Sequence, residues 1–295
     1  MVKQRYTSNG PRTSTLTPAP AMWDARGIAD PPHLEAAVMS HAVKLADYES
    51  KYKHIKFRRE DGILEMTVHT NGGSLRWGRE PHGELVQAFL DIGRDRENHV
   101  VIMTGTGPEF SGPAPEAKAN MSYHAMGPEE WGELGWEAKH LLTNLLLIDV
   151  PMIAAVNGPA VRHAELPILC DIVLAAENAC FQDSAHFVNG LVPGDGVHVA
   201  FPAAMGLNRA RYFLLTGQVL HAVEAKEMGL VNEILPSEKL LPRAWELARM
   251  IMRQPELNRR YTRILLTEQV RRQMNDLLAY GLALEGLAIT SIPRK

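Results

Sequence analysis

The residues best suited to move protons in this chain are its histidines, and one of them has a carboxylate partner nearby in the sequence. His186 precedes the glycine-rich segment VPGDG (192–196), in which Asp195 follows the histidine by nine residues. An imidazole with an unperturbed pKa of about 6.5 can take a proton from water at neutral pH. The carboxylate can accept the other ring N–H, fix the tautomer and stabilise the imidazolium that forms. Alternatively, both are structural: a buried, hydrogen-bonded histidine and a turn carboxylate between two glycines.

Two further side chains can hold negative charge on a carbonyl oxygen. His163 follows the segment AVNG (155–158), and Trp77 lies in the polar loop from Asn71 to Glu80. Imidazole and indole N–H groups are donors, and a donor aimed at a carbonyl oxygen stabilises the charge that develops there. The alternatives are a surface-loop histidine and an aromatic pocket wall without a polar role.

Sequence signals for other catalytic or cofactor chemistry are missing. Ser184 is too close to His186 in sequence to argue for a hydrolase nucleophile, and no GxSxG elbow occurs. His163 and Glu165 lack a third partner at a recognisable metal-ligand spacing. Neither a GxGxxG nor a P-loop sequence is present. We therefore expect no metal, no nucleotide and no other cofactor.

Composition indicates a soluble globular protein that acts on small molecules. The 295 residues are 45% hydrophobic and 22% charged, far from the range in which chains stay disordered. With 31 Lys plus Arg against 34 Asp plus Glu, the net charge of -3 gives no reason to expect a nucleic acid or a membrane as partner. Two cysteines, no secretory signal and no apolar run of roughly 18 residues favour a cytoplasmic location.

The elements that must position these side chains alternate between strand and helix. Ile55 to Val68 predicts an antiparallel hairpin with its turn at Gly62, and a helix from Pro81 to about Arg94 leads to a buried strand from Val100 to Met103. The same alternation then repeats as helix 129–148, strand 152–156, a second helical stretch and strand 171–176. Such alternation favours a mainly parallel sheet.

The two ends of the chain differ from this central part. Residues 1–45 are rich in Pro, Ser and Thr and are predicted to form an N-terminal arm, either flexible or wrapped around a neighbouring subunit. Residues 46–205 are the expected core, and 206–295 are an expected helical oligomerisation region. That region has breaks near Gly217, Gly229 and Pro255, and a short strand from 231 to 235. Its basic side chains are expected to form a solvated or intersubunit face: Arg259, Arg260, Arg263, Arg271 and Arg272.

The order of short segments resembles the crotonase (enoyl-CoA hydratase/isomerase) superfamily over about residues 48 to 290. The matching segments are AVNGPA (155–160), ELPILCDIVLAAENACF (165–181), NGLVPGDG (189–196), LNRARYFLLTGQ (207–218) and AKEMGLVNEI (225–234). The resemblance implies an α/β fold, a crotonase-like spiral of ββα repeats with a helical C-terminal region. It also implies a homo-oligomer, either a trimer or a dimer of trimers.

The sequence departs from the CoA-dependent members where they form a backbone oxyanion hole. Pro113 and Pro115 stand in the first loop, and each proline removes one N–H group. After AVNG, the expected glycine cluster is replaced by the shorter run Val161 to Ala164. Larger side chains therefore occupy the place where the backbone should approach a thioester. CoA thioester chemistry is therefore not expected.

The departures resemble one branch of the superfamily, the β-diketone hydrolases of the 6-oxocamphor hydrolase type. The segments that carry this likeness are HTNGGSLRW (69–77), PHGEL (81–85), FQDSAHF (181–187) and VPGDG (192–196). The resemblance implies a pocket lined by Trp77, His82, His163, His186, Asp195 and Glu285. A helix cap or surface position for His82 and a solvated helix face for Glu285 remain the alternatives.

These observations lead to one functional hypothesis and two alternatives. The hypothesis is a hydrolase that cleaves a C–C bond of a cyclic or bicyclic, non-enolisable β-diketone to give a keto acid. Water is activated by His186 with Asp195, and the enolate is stabilised by side-chain donors such as Trp77 and His163. The alternatives are an enoyl-CoA hydratase or isomerase, and a crotonase-fold assembly protein without catalysis.

Overall fold

The computed structural model describes residues 43–113 and 126–291, which lie within one compact unit spanning residues 42–295. Of the predicted N-terminal arm (1–45), all but the last three residues lie outside the described ranges, as does Pro115. Within the described ranges, no helix is long and apolar enough to cross a membrane.

A six-stranded sheet forms the centre of the unit. Its strands are β1 (Ile55–Glu60), β2 (Ile63–Val68), β4 (Val100–Gly105), β6 (Met152–Val156), β7 (Ile172–Ala176) and β10 (Glu233–Leu235), in the order β1-β2-β4-β6-β7-β10. The β1–β2 pair is antiparallel and the other neighbouring pairs are parallel. The predicted hairpin and mainly parallel sheet are thus confirmed. Asp61 and Gly62 supply the positive φ angles that the tight turn needs.

Both faces of this sheet are buried, because successive residues of its strands point to opposite sides. One face packs against helices α1 (Arg79–Arg94) and α2 (Pro128–Leu147), through the apolar positions of α1 that recur every three or four residues. The other face packs against α7 (Ser237–Met252). Continuous apolar runs such as the one in β4 follow from this double burial.

Two short strand pairs lie outside the main sheet. β3 (Leu75–Trp77) pairs in parallel with β5 (Ser111–Pro113), and β8 (Cys180–Phe181) pairs with β9 (Leu220–His221). Ala160 bridges the two pairs through Ser111 and Phe181. The segment 71–80, which the sequence suggests is a loop, therefore contains a strand that fixes Trp77 opposite Pro113.

The C-terminal third is helical, as predicted. Within the described ranges, the α-helices other than α1, α2 and α7 are α3 (Glu165–Ile168), α4 (Val197–Met205), α5 (Leu207–Thr216), α6 (Ala222–Glu227) and α8 (Glu256–Ser291). Gly217 and Gly229 end helical segments with positive φ angles, and Pro255 directly precedes α8. The predicted short strand is β10, which joins the main sheet beside β7.

The expectation of a solvated or intersubunit arginine face is wrong for Arg259, Arg260 and Arg263, which are buried. Arg260 donates to Asp149 at 2.5 Å and to the carbonyl of Asn98 at 3.0 Å. Arg263 donates to the carbonyl of Ile148 at 2.7 Å. These contacts fasten α8 onto the loops at one edge of the sheet, and burial is tolerated because the guanidinium groups are paired. Arg271 is half-buried and Arg272 is exposed.

Candidate active site

Three chain segments lie side by side to form the candidate site. The N–H of Val161 donates to the carbonyl of Ser111 at 3.0 Å, and the N–H of Ser184 donates to the carbonyl of Val161 at 3.3 Å. These bonds align β5, the segment after β6 and the segment after β8. His163 and His186 are thereby brought to one region, although 23 residues separate them in the sequence.

His186 is buried among three carboxylates. Its Nδ1 lies 2.7 Å from Oδ1 of Asp183, whereas its Nε2 lies 3.3 Å from Oδ2 of Asp195 and 3.7 Å from Oε1 of Glu285. The sequence-based expectation that Asp195 is the tautomer-fixing partner needs correction, because Asp183 makes the short Nδ1 contact. Asp195 instead faces the nitrogen that is directed toward the other site residues.

The charges around His186 favour its protonated form. Burial alone would lower the pKa of this imidazole, but the nearby charges of Asp195 and Asp183 outweigh it and raise the pKa well above its ordinary value. Burial acts to raise the pKa of Asp195, and the attraction of His186 overcomes this and holds that pKa well below its usual range. In the resting site, His186 and Asp195 therefore form a buried ion pair.

Glu285 is a buried carboxyl group rather than part of a solvated helix face. It is 4% exposed on α8, and its Oε2 has no hydrogen-bond partner among the described residues. Burial raises its pKa to about 8, against the opposing attraction of His186. At neutral pH this side chain carries a proton close to Nε2 of His186.

His163 forms a second histidine–carboxylate pair and closes over Trp77. Its Nδ1 lies 2.6 Å from Oε1 of Glu165 and 3.8 Å from Oδ2 of Asp195. The imidazole stacks on the indole of Trp77 with a centroid distance of 3.9 Å and an angle of 29°. The backbone of His163 has a positive φ of 48°, an uncommon conformation for a residue other than glycine. The surface-loop alternative for His163 is therefore wrong.

His82 lies next to this stack rather than on the surface. It is 5% exposed on α1, and its ring centroid is 5.6 Å from that of His163 and 5.9 Å from that of Trp77. Burial lowers the pKa of His82, although Glu137, 3.5 Å from its Nδ1, acts in the opposite direction. His82 is therefore a neutral ring that lines the site at physiological pH.

A small apolar cavity lies against the stacked rings. Its volume is about 10 Å³, room for about one water molecule. The residues that line it are Val68, Leu75, Trp77, Leu85, Met103, Phe110, Ser111, Arg162, His163 and Leu166. A hydrocarbon ring would match this lining chemically, but it can enter only if side chains such as Trp77 and His163 move apart.

Three described backbone N–H groups near the expected oxyanion hole are engaged within the fold. Those of Phe110 and Ser111 both donate to the carbonyl of Pro159, at 3.0 and 3.2 Å, and the N–H of Ala160 donates to Cys180. Pro113 lies in β5 and has no N–H to offer. These groups are not free to hold a substrate oxygen, so side-chain donors gain importance.

One group of side chains in the described part of the chain has the composition of a metal site. His163, Glu165 and Asp195 each place a possible ligand atom within 4.8 Å of the others. The sequence offers no third partner for His163 and Glu165 at a recognisable spacing, and it is the fold that brings Asp195 to them. However, the 2.6 Å between His163 and Glu165 is a hydrogen-bond length, shorter than the spacing of two ligands about 2.1 Å from one tetrahedral ion. The pair as it stands shares a proton.

The structure brings all six residues of the expected pocket into one cluster and adds three that sequence reasoning missed: Asp183, Glu165 and Glu137. Asp183 lies in the FQDSAHF segment three residues before His186, a spacing that a 3₁₀ or helical turn brings into contact. Glu165 follows His163 by two residues, a spacing that does not by itself indicate a contact. Glu137 is on another helix, so no local signal points to it.

Comparison with known proteins gives related hydratases and one hydrolase. The sequence model of the enoyl-CoA hydratase/isomerase family matches residues 59–292. The crotonyl-CoA hydratase of Syntrophomonas wolfei is 26% identical over 245 residues, which cover 83% of this chain and 93% of that protein.

Among solved structures, a β-diketone hydrolase from the cyanobacterium Anabaena, bound to (S)-3-oxocyclohexyl acetic acid, is 48% identical to this chain. It has a TM-score of 0.78, with 83% of this chain and 97% of that chain covered. An enoyl-CoA hydratase/isomerase from Mycobacterium paratuberculosis has a TM-score of 0.73 at 25% identity, over 81% and 94% of the two chains.

Proposed function

This chain belongs to the enoyl-CoA hydratase/isomerase family and has its crotonase fold, and we propose that it hydrolyses a C–C bond of a cyclic, non-enolisable β-diketone. The observation that carries the proposal is the buried cluster in which Asp195 lies between His186 and His163. One histidine is placed to handle the proton of water, and the other is placed beside an apolar cavity with Trp77. Hydrolysis of a small carbocyclic dione requires both functions, proton transfer from water and an apolar site for the ring.

The first step is addition of water to one carbonyl. Asp183 holds the Nδ1 proton of His186, so Nε2 is the nitrogen that accepts the proton of water. The raised pKa of His186 means that the neutral form, which can accept a proton, becomes populated only at a higher pH than for an ordinary histidine. Asp195 stabilises the imidazolium that forms, and the oxygen of water bonds to the carbonyl carbon to give an alkoxide.

The second step breaks the bond between that carbon and the carbon that bridges the two carbonyls. The alkoxide collapses to a carboxylic acid, and the bond's electron pair becomes an enolate on the second carbonyl. N–H groups of Trp77 and His163 hold the enolate oxygen. The proton taken up by His186 is transferred to the bridging carbon. The protonated carboxyl group of Glu285 lies next to His186 during this transfer. The atoms balance as dione plus water to keto acid, without a cofactor.

The similarity to the Anabaena hydrolase supports this substrate class. The acid bound to that protein has a ring ketone and an acetic acid arm. Joining the acid carbon to the ring carbon beside the ketone, across the ring from the arm, regenerates a bicyclic dione whose two carbonyls flank one bridgehead carbon. Such a dione cannot form an enol that includes the bridgehead carbon between the two carbonyls. Hydrolysis opens its bicyclic ring system.

The curated relatives favour a second candidate, hydration or isomerisation of a CoA thioester. That chemistry needs a backbone oxyanion hole, whereas Pro113 lacks an N–H and the N–H groups of Phe110 and Ser111 are already engaged. A crotonase-fold protein without catalysis is the third possibility, and any diketone turnover excludes it.

One screen separates these functions. The purified full chain is incubated with the bicyclooctane dione just described, with a monocyclic β-diketone and with crotonyl-CoA, and acid release and loss of the thioester are measured. We expect acid from the bicyclic dione and no change in crotonyl-CoA. His186→Ala should abolish acid release, and His140→Ala, on the outer side of α2 against Trp136, is the matched control. Hydration of crotonyl-CoA without acid release would overturn the proposal.

A further inference from the structure

We propose that Glu165 is a positioning residue that keeps a proton on Nε2 of His163, so that this histidine acts as a hydrogen-bond donor. The inference rests on the proposed function in one respect: the acceptor is the oxygen of the substrate. Glu165 is buried, with 1% of its surface exposed, and none of the steps described above uses it.

The geometry ties Glu165 to one nitrogen of His163. Oε1 of Glu165 lies 2.6 Å from Nδ1, and the two residues are joined by the turn that begins α3. Nδ1 is thus committed to the carboxyl group, and Nε2 is the nitrogen left for a ligand in the cavity that His163 lines.

The surroundings disfavour a negative charge on Glu165. Its second oxygen, Oε2, has no hydrogen-bond partner in the described part of the chain, and Asp195 lies 3.8 Å from the same Nδ1. Burial raises the pKa of Glu165, although the attraction of His163 opposes the shift. A protonated Glu165 donates its O–H to Nδ1, which must then be the unprotonated nitrogen.

The same conclusion follows if the proton has moved to the imidazole. In that state Glu165 is a carboxylate, His163 is an imidazolium, and both ring nitrogens carry a proton. Either arrangement places an N–H at Nε2. The third arrangement, a neutral His163 that donates Nδ1–H to a Glu165 carboxylate, would place two buried negative charges, on Glu165 and Asp195, within 4.8 Å of each other, and like charges this close disfavour it. At His186, Asp183 accepts the Nδ1–H, so Nε2 is the nitrogen that loses and takes up a proton. The carboxyl partners thus give the two histidines different tasks.

The direct test is nitrogen-15 NMR of the imidazole rings in the wild-type full chain, which requires no substrate. The His163 signals are assigned by their loss in His163→Asn. We expect the spectrum to show a proton on Nε2 of His163. A neutral His163 with its proton on Nδ1 would overturn the proposal, whether or not the protein cleaves a diketone.

Two variants add a functional readout. In Glu165→Gln, the amide N–H can still donate to Nδ1, so the Nε2–H form and most of the activity should be kept. In Glu165→Leu, no donor remains, and kcat should fall by roughly 10²-fold, the usual loss for one oxyanion donor, with a smaller change in KM. Equal losses in both variants, with both folded by circular dichroism, would contradict the positioning role.

The two proposals can fail separately. If the wild-type chain leaves every diketone intact but His163 carries its proton on Nε2, the proposed function is wrong and the role of Glu165 stands. If the chain releases acid while His163 is a neutral Nδ1–H tautomer, the function stands and the role of Glu165 is wrong.

Discussion

Replacement of Asp183 by Asn tests how the charge on His186 is set. The two residues have nearly the same shape, and the Asn oxygen can still accept the Nδ1–H across the 2.7 Å contact. What is lost is the negative charge. A hydrogen bond to a charged group contributes about 1.5–3 kcal/mol and a neutral one about 0.5–1.5 kcal/mol. The difference of about 1–1.5 kcal/mol corresponds to about one pKa unit.

The expected result is a shift of the acidic limb of the pH–rate profile. His186 must be neutral to accept a proton, so kcat/KM of the wild-type enzyme rises with pH through the raised pKa of His186. In Asp183→Asn this limb should move about one unit to lower pH. The plateau should fall by less than about tenfold, because a weaker base accepts the proton less readily.

We measure kcat/KM for the bicyclic dione from about pH 5 to about pH 10, a range that begins below the ordinary pKa of histidine. His140→Ala is the control. The control profile should coincide with that of the wild-type protein. An acidic limb at the same pH in Asp183→Asn and in the wild type would show that Asp183 does not set the pKa of His186. The acidic limb would then be assigned to a group other than His186.

Four further outcomes are expected. His186→Ala should lower turnover by roughly 10²- to 10⁴-fold, and Asp195→Asn should cost a comparable factor; more than half the wild-type rate in either folded variant contradicts the pair. Trp77→Phe keeps the ring but removes the indole N–H, so kcat should fall by roughly 10²- to 10³-fold, and His163→Ala should behave likewise; near-wild-type rates in both would refute side-chain stabilisation of the enolate. Glu285→Gln should remove an alkaline limb near pH 8, where the wild-type carboxyl group loses its proton; an unchanged limb assigns it to another group. Light scattering should give a trimer or hexamer at micromolar concentration, and a stable monomer would contradict this.

The sequence was sufficient to predict the elements whose signals are local. The β1–β2 hairpin is encoded by alternating apolar residues on either side of Asp61 and Gly62, and α1 by its helical spacing of Leu85, Phe89 and Ile92. The short β3 strand was missed because its three residues pair with β5, 36 residues away, and nothing local indicates that partner. Burial of Arg260 and Arg263 was missed for the same reason, because Asp149 and the carbonyl of Ile148 lie far away in sequence.

For the site, the sequence predicted which residues take part but not the role of each one. His186 and Asp195 were both identified, yet the sequence does not tell which ring nitrogen faces which carboxylate. Three acidic side chains surround one imidazole, and only the fold decides which ring nitrogen each of them faces. Likewise, His163 and Glu165 are close in sequence, but Asp195 joins them only through the fold.

The stacked rings of Trp77 and His163 also bear on how fast and how tightly a ligand binds. A ligand that needs the stack to separate is bound only by molecules in which it has separated, so the apparent dissociation constant exceeds the intrinsic one by the inverse of that fraction. Association is then slower than diffusion allows, and its rate reports the opening of the stack. Because the indole is one of the two stacked rings, its fluorescence can follow this opening in stopped-flow experiments, before any bond in the substrate is broken.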